Sequence, residues 1–297
     1  MNNYKQQVAL LLEVLPEVAK ESVFALHGGT AINLFVRDMV RLSVDIDLTY
    51  KPIEDRKTSF KNIINGLDRI KIKLEKILPE ATITLKKETL KLQITTVKAQ
   101  IKIEVNQINR GVVDETVTLP LCEKAQEEFD VFCAVPVVPL GQLYGGKICA
   151  ALDRQHPRDL FDVKYLLQNE GFTDEIKNGF MLFLLSSNRP LHEMLHPNFI
   201  DHRETLVNQF EGMSPESFTH EDFEKTRKEL VKTIHQNLTD KDREFILKFC
   251  KGTPDWSIYD FERFPAVQWK LQNLIKLKNG NPEKHGGSIA SLKKVLY

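Results

Sequence analysis

The sequence has no excess of charge of either sign: 41 Lys and Arg stand against 41 Asp and Glu in 297 residues. That excludes a uniformly basic, histone-like nucleic-acid binder, though not a local basic patch. It also lacks any apolar stretch near the ~20 residues that a membrane-spanning helix needs, so no membrane partner is expected. The N-terminal run MNNYKQQVALLLEVLPEVAKES is interrupted by Glu13, Glu17 and Glu21. A secretory signal would want a basic start, an unbroken apolar centre and a small-residue cleavage site, so the run reads as an amphipathic helix. Cysteine is sparse. Cys122, Cys133, Cys149 and Cys250 form no C-x-x-C pair and no tight framework, which fits reduced thiols in a cytoplasmic protein. There is no internal repeat and no low-complexity tract. What remains is an ordinary globular composition, 42% hydrophobic and 28% charged, long enough for one large core or two modest ones.

Periodicity predicts a helix over 3–20, a short apolar strand at Val23–Leu26, and a tight turn at His27-Gly28-Gly29-Thr30. A helix follows from Ala31 to about Met39. Ser43–Tyr50 alternates, with Val44, Ile46 and Leu48 on one face and Asp45, Asp47 and Thr49 on the other. Residues 54–78 form a long amphipathic helix pattern. Strand-like segments follow at Ala81–Lys86, Leu90–Val97, Gln100–Gln107 and Val131–Val138. After Pro139 helical patterns dominate, at 140–153, 157–169, 173–187, 222–237, 241–250 and 265–278. The pairs Asn281-Pro282 and Gly286-Gly287 predict a loose tail after Gly280. The chain is therefore read as α+β, with an α/β lobe over 1–139 holding a mixed sheet and a mostly helical lobe over 140–297.

The chemistry concentrates in an ordered set. A Gly28-Gly29 turn between strand and helix lets backbone N–H groups approach a phosphate, and the helix N-terminus adds a favourable dipole. Asp45-Ile46-Asp47 on a strand puts two carboxylates on one face, suited to hard, oxygen-seeking cations shared with substrate phosphates. Glu104, in the alternating Ile101–Asn106 segment, is the candidate third acid. Either motif alone is explained as well by a plain turn or a solvated strand face; their order along the chain carries the signal.

HGGTAINLFVRDMVRLSVDIDL resembles the opening motif of the nucleotidyltransferase superfamily, and within it the AbiEii/AbiGii toxin family of abortive-infection and toxin–antitoxin systems. That pattern runs from a Gly-Gly or Gly-Ser turn through a helix to an Arg-x-Ser-x-Asp-x-Asp block, here Arg41-Leu42-Ser43-Val44-Asp45-Ile46-Asp47. Lys147-Ile148-Cys149-Ala150-Ala151 and Arg158-Asp159-Leu160-Phe161-Asp162-Val163 resemble its Lys-helix and Arg-Asp-x-x-Asp motifs. The resemblance runs over about residues 22–200; beyond that only helical character is shared. It implies a polymerase-β-like fold and transfer of a nucleotide from an NTP, with release of pyrophosphate and dependence on Mg²⁺ or Mn²⁺. The acceptor in some members is tRNA, so an RNA acceptor and a cognate antitoxin are implied partners. On this reading Asp45, Asp47 and Glu104 hold metals, with Glu104 alternatively activating the acceptor hydroxyl. Lys147 neutralises triphosphate charge. Gly28, Gly29, Thr30, Arg41, Ser43, Arg158, Asp159 and Asp162 line the nucleotide site. The turn departs from the common Gly-Ser by carrying Gly-Gly-Thr, which leaves the role of Thr30 open. Asp159 also has a structural explanation at a helix start after Pro157.

Two readings from other classes compete. One is a non-catalytic nucleotide- or RNA-binding module that keeps the fold, against which stands the survival of all three acids. The other is a zinc hydrolase built on His192-Glu193-Met194-Leu195-His196 with His202 at third-ligand spacing. Pro197 pushes His196 out of the helical region, and Phe199 stands where the extended motif needs glycine. The histidines are therefore expected on a short surface helix and the loop after it. The aromatic group Trp256, Tyr259, Phe261, Phe264 and Trp269 reads as a small core rather than a base-stacking platform. The zero net charge hides segregation: residues 51–100 carry 12 basic and 6 acidic side chains, and residues 251–297 carry 8 and 4. If the acceptor is a polynucleotide, its phosphates are expected along the 51–78 helix, at Lys71 and Lys73 among others, and along the C-terminal segment.

Overall fold

The structure is a computed structural model and describes residues 3–297. It divides into two compact units. One comprises the chain up to Pro139 together with Gly212–Ser217, the other Leu140–Glu211 and Phe218–Tyr297.

The first unit runs α1 (Asn3–Ala19), β1 (Phe24–His27), α2 (Gly28–Ala31) continuing as a π-helical turn (Ile32–Val36), β2 (Asp45–Tyr50), α3 (Arg56–Ile77), β3 (Thr82–Lys86), β4 (Lys91–Thr95), β5 (Gln100–Val105), β6 (Val117–Pro120), α4 (Glu123–Phe129) and β7 (Ala134–Val137). The seven strands form one mixed sheet in the order β3-β4-β5-β2-β1-β7-β6. β2 is antiparallel to β1 and parallel to β5, so the sheet centre joins both kinds of ladder. The apolar stripes of α1 (Leu11, Leu12, Leu15) and α3 (Ile63, Leu67, Ile70, Leu74) are buried, and the two helices pack on each other and on the sheet. Ile46 and Leu48 are buried on the side of β2 opposite Asp45 and Asp47. Asp55 starts α3 as an N-cap, its carboxylate accepting from the Thr58 N–H. Gly212–Ser217 is tied to this unit by Leu42 N–H donating to the Met213 carbonyl at 2.7 Å and Ser214 Oγ donating to the Val40 carbonyl at 3.0 Å.

The second unit is helical: α5 (Leu140–Asp153), α6 (Pro157–Gln168), α7 (Asp174–Leu185), α8 (Leu191–Leu195), α9 (Arg203–Phe210), α10 (His220–Asn237), α11 (Asp240–Cys250), α12 (Pro265–Gly280) and α13 (Pro282–Leu296). Its tightest contact joins α5 and α7. A Cβ on Gly179 would lie 1.9 Å from the Gly141 carbonyl oxygen and one on Gly145 would lie 2.2 Å from the Gly179 carbonyl carbon, so only glycine permits the approach. Thr219 and Thr239 each close a capping box, with Asp222 and Asp242 respectively. Among the described residues no helix is long and apolar enough to cross a membrane.

The mixed sheet followed by helices is the architecture expected. Three elements escaped the pattern: β6, α4 and α9. β6 is a sheet-edge strand with no buried residue, α4 buries only Ala125 and α9 only Phe210, so none shows the periodicity that marks an element. The loose tail is a correction. Asn281 caps α13 by accepting from Lys284 N–H, Pro282 sits at its first turn, and Leu292 and Leu296 are buried. Packing along that stripe outweighs the two exposed glycines.

Candidate active site

The turn at Gly28 is shaped by two facts of its backbone. Gly28 has φ +75°, in the left-handed region, and a Cβ there would fall 2.4 Å from Asp47 Oδ2. The first strand and the acid strand are therefore folded together at closest approach, with His27 directly opposite Asp47 in the ladder. Behind the turn lies a buried polar brace. Thr30 Oγ1 donates to the Asp45 carbonyl at 2.5 Å and lies 3.0 Å from Ser43 Oγ. Asn33 Nδ2 donates to the Gly29 carbonyl at 2.9 Å and Arg41 Nη1 to the Leu42 carbonyl at 2.9 Å. Thr30, Arg41 and Ser43 are all buried. They hold the turn against β2, whereas Asp45 and Asp47 are half-exposed on the same face of the strand.

Glu104 is brought beside these acids by the β2–β5 register, which pairs Asp47 with Glu104 and Asp45 with Lys102. The β4–β5 register places Lys91 opposite Glu104. Cross-strand neighbours on one face meet, and they do so here as ion pairs. Lys91 Nζ is 2.8 Å and Lys102 Nζ 2.9 Å from Glu104 Oε1, and Lys102 Nζ is 3.9 Å from Asp45 Oδ1. Burial alone would raise Glu104 and lower Lys102. The pairing reverses both, holding the Glu104 carboxyl below and the Lys102 ammonium above its ordinary value. Glu104, the candidate third acid, is thus engaged by two lysines that sequence reasoning missed. Among the described residues no three His, Cys, Asp or Glu side chains are grouped to hold an ion. Asp45 and Asp47 present an oxygen-only pair on one strand face, a donor set whose chemistry fits Mg²⁺ or Mn²⁺.

A second polar cluster lies within the helical unit. Lys147 on α5 is 2.8 Å from Asp159 Oδ1 and 3.0 Å from Asp162 Oδ2, both on α6. Asp159 and Asp162 are each 1% exposed and Lys147 is 7% exposed. Arg154, a residue the sequence reading passed over, clasps Asp159 with Nε at 2.6 Å and Nη2 at 3.0 Å. Burial opposes the Asp159 charge, yet Lys147 and Arg154 outweigh it and hold that carboxyl well below the usual carboxylate range. The i, i+3 spacing of the two aspartates places both on the α6 face that meets Lys147. Arg158 is half-buried, and its backbone N–H donates to His156 Nδ1 at 3.1 Å, which caps the helix.

The remaining candidates resolve plainly. α8 ends at Leu195, and His196 has φ −136° and ψ 74°, so His192 and His196 do not share a helix face. Cys149 is buried with Sγ 3.7 Å from the Phe180 carbonyl, and burial pushes its thiol pKa upward. Tyr259 stacks between Phe245 and Phe261 at 5.0 and 5.2 Å and donates to Asp242 at 2.7 Å, which makes the aromatic group a core; Trp269, 54% exposed, stands outside it. On α3, Lys71 pairs with Glu75 and Lys73 with Glu21 at 2.9 Å, so both lysines face acids of their own unit.

The fold and these clusters can be set beside known proteins. No curated protein sequence matches the chain. Among solved structures it is similar to MenT4, a nucleotidyltransferase toxin from Mycobacterium tuberculosis H37Rv, with a TM-score of 0.60 and 12% identity over 92% of this chain and 95% of that one. At that identity the likeness is one of fold. The family model described as nucleotidyl transferase AbiEii toxin, type IV toxin–antitoxin system, matches residues 9–273, and so spans both units and every cluster above. The chain belongs to the AbiEii nucleotidyltransferase toxin family.

Proposed function

We propose that the protein transfers a nucleotide from an NTP to an RNA acceptor, tRNA being the first to test, with release of pyrophosphate and with Mg²⁺ or Mn²⁺ required. In the cell this makes it the toxin of a pair, held in check by a cognate antitoxin in the cytoplasm. The observation that carries the reading is the Gly28 turn pressed against Asp47, with Asp45 beside it on the same strand face. A phosphate-approaching backbone and an oxygen pair for a hard cation thus share one strand end.

Asp45 and Asp47 are the residues that would hold the cation. When bound, it supplies positive charge to the triphosphate and lowers the pKa of an acceptor hydroxyl. Gly28 and Gly29 offer backbone N–H groups to phosphate oxygens. Thr30, Arg41 and Ser43 contribute by bracing that backbone rather than by projecting from it. Glu104 fixes Lys102 at the edge of the acid pair, where an ammonium can meet anionic substrate oxygens. Lys147 answers the charge of the departing pyrophosphate, held in one orientation by Asp159 and Asp162.

The test is incubation with each labelled NTP and total RNA, with and without Mg²⁺. Label should pass to a discrete RNA class with one preferred NTP and disappear in Asp47→Ala, whose circular dichroism should match the parent. Transfer undiminished in that variant removes the metal role of Asp47. Binding of NTP or RNA without transfer for any NTP favours the non-catalytic module.

A further inference from the structure

The helical unit contains a cavity of about 280 Å³ between the α7–α8 connection, α8, the end of α11, and the two C-terminal helices α12 and α13. None of the residues proposed for nucleotide transfer lines it. Its volume sits at the lower edge of the range for small-molecule sites. Leu191, Leu274, Leu277, Ile289 and Leu292 make its wall apolar, and Trp269 stands at its rim.

The polar part of the wall is one-sided. It includes Lys270, Lys284, His192 and His285 but no aspartate or glutamate. Lys270 is the notable member. Its ammonium donates to the Arg189 carbonyl at 2.7 Å, a single neutral acceptor for a group with three donors. The acid that bears on it electrostatically is Glu193 on α8, which is not part of the wall. An ammonium partly withdrawn from water beside apolar surface is favoured by a compensating anion. His285, by contrast, has its ring nitrogen at 2.8 Å from the Cys250 carbonyl, and so belongs to the scaffold that closes the α13 side.

We propose that this cavity is a binding site for a small apolar carboxylate, whose chain lies along the leucines and Ile289 and whose carboxylate pairs with Lys270. The lining has charge complementarity for an anion and for no cation, and its enclosed part suits a short acyl or aryl body better than a second protein surface.

The two tryptophans are Trp256 and Trp269, so Trp256→Phe leaves the rim tryptophan as sole reporter. In this background, sodium octanoate should change Trp269 emission saturably at one equivalent, and octylamine of equal chain length should bind at least tenfold more weakly. Lys270→Met, which keeps the length of the side chain, should weaken octanoate at least tenfold and leave 1-octanol unchanged. Ser288→Phe should abolish binding by filling the space. The contrast between octanoate and octylamine needs no variant, so it stands even where Lys270→Met fails to fold. Non-saturable octanoate binding, equal affinity for octanoate and octylamine, or undiminished octanoate binding by folded Lys270→Met overturns the proposal.

Discussion

Replacing Lys147 by methionine tests the electrostatics of the helical unit at their most demanding point. The change keeps the length of the aliphatic stem and removes one ammonium from between two carboxylates that are each 1% exposed. Arg154 still clasps Asp159, but Asp162 loses the cation 3.0 Å away. Breaking a buried pair by deleting one partner costs about 3–5 kcal/mol, because the other charge stays desolvated. With a urea m-value of about 2 kcal/mol/M, that moves the midpoint down by about 1.5–2.5 M. Both tryptophans lie in the helical unit, so urea unfolding followed by tryptophan emission reports this unit without interference from the sheet.

The pH dependence must also change. In the parent the folded Asp159 pKa is depressed, so its contribution is fully present above the unfolded carboxylate value of about 3.9 and fades as pH falls below it. In Lys147→Met the buried Asp159 and Asp162 carboxylates lose a shared cation, so the loss relative to the parent should be largest near neutral pH and shrink as pH falls toward the carboxylate range. Adding Asp162→Asn should recover part of the loss at pH 7.5, since one buried carboxylate charge is then gone. A Lys147→Met midpoint within about 0.3 M of the parent at pH 7.5 would refute the assignment of this cluster as a desolvated ion network.

Gly28→Ala should cut transfer by on the order of 10²-fold, because a left-handed residue must take a Cβ that collides with Asp47 Oδ2, and a displacement of about 1 Å at reacting groups is that costly; steady-state kinetics against the labelled NTP would show it, and unchanged kcat/KM would argue against the turn. Thr30→Val removes the buried donor to the Asp45 carbonyl and should cost about 1–2 kcal/mol, seen as faster hydrogen exchange across β1 and β2, with Thr30→Ser behaving as the parent. Mn²⁺ titration of the protein alone should show tighter binding in Lys102→Met and modestly weaker binding in Glu104→Gln; complete loss in Glu104→Gln would make Glu104 a direct ligand instead.

The parts of the site that the sequence makes legible are those built from neighbours in the chain. The Gly-Gly turn, the alternation that puts Asp45 and Asp47 on one face, and the Asp159/Asp162 pair each depend on spacings of one to three residues. What could not be read depends on strand register. Lys91 and Lys102 reach Glu104 only because β4, β5 and β2 lie side by side in one alignment, and a one-residue slip would send all three side chains to the other face. The role of Thr30 was open for the same reason, since its partner is a carbonyl fifteen residues away. The C-terminal helix shows the converse: two glycines at 286 and 287 argue locally against it, and burial of Leu292 and Leu296 decides otherwise.

Burial explains why the two polar clusters are balanced differently. Lys147 lies between Asp159 and Asp162 where water has little access, and the more exposed Arg154 clasps Asp159, so ion pairing has to offset the desolvation of the two carboxylates. At the sheet, Glu104 meets Lys91 and Lys102, and Lys102 also lies 3.9 Å from Asp45, with all four side chains partly exposed. Partly exposed side chains tolerate such a grouping of acids because solvent screens it. The same count of acids and bases that sums to zero over the chain thus separates into a solvent-screened cluster on the sheet and a desolvated one inside the helical unit.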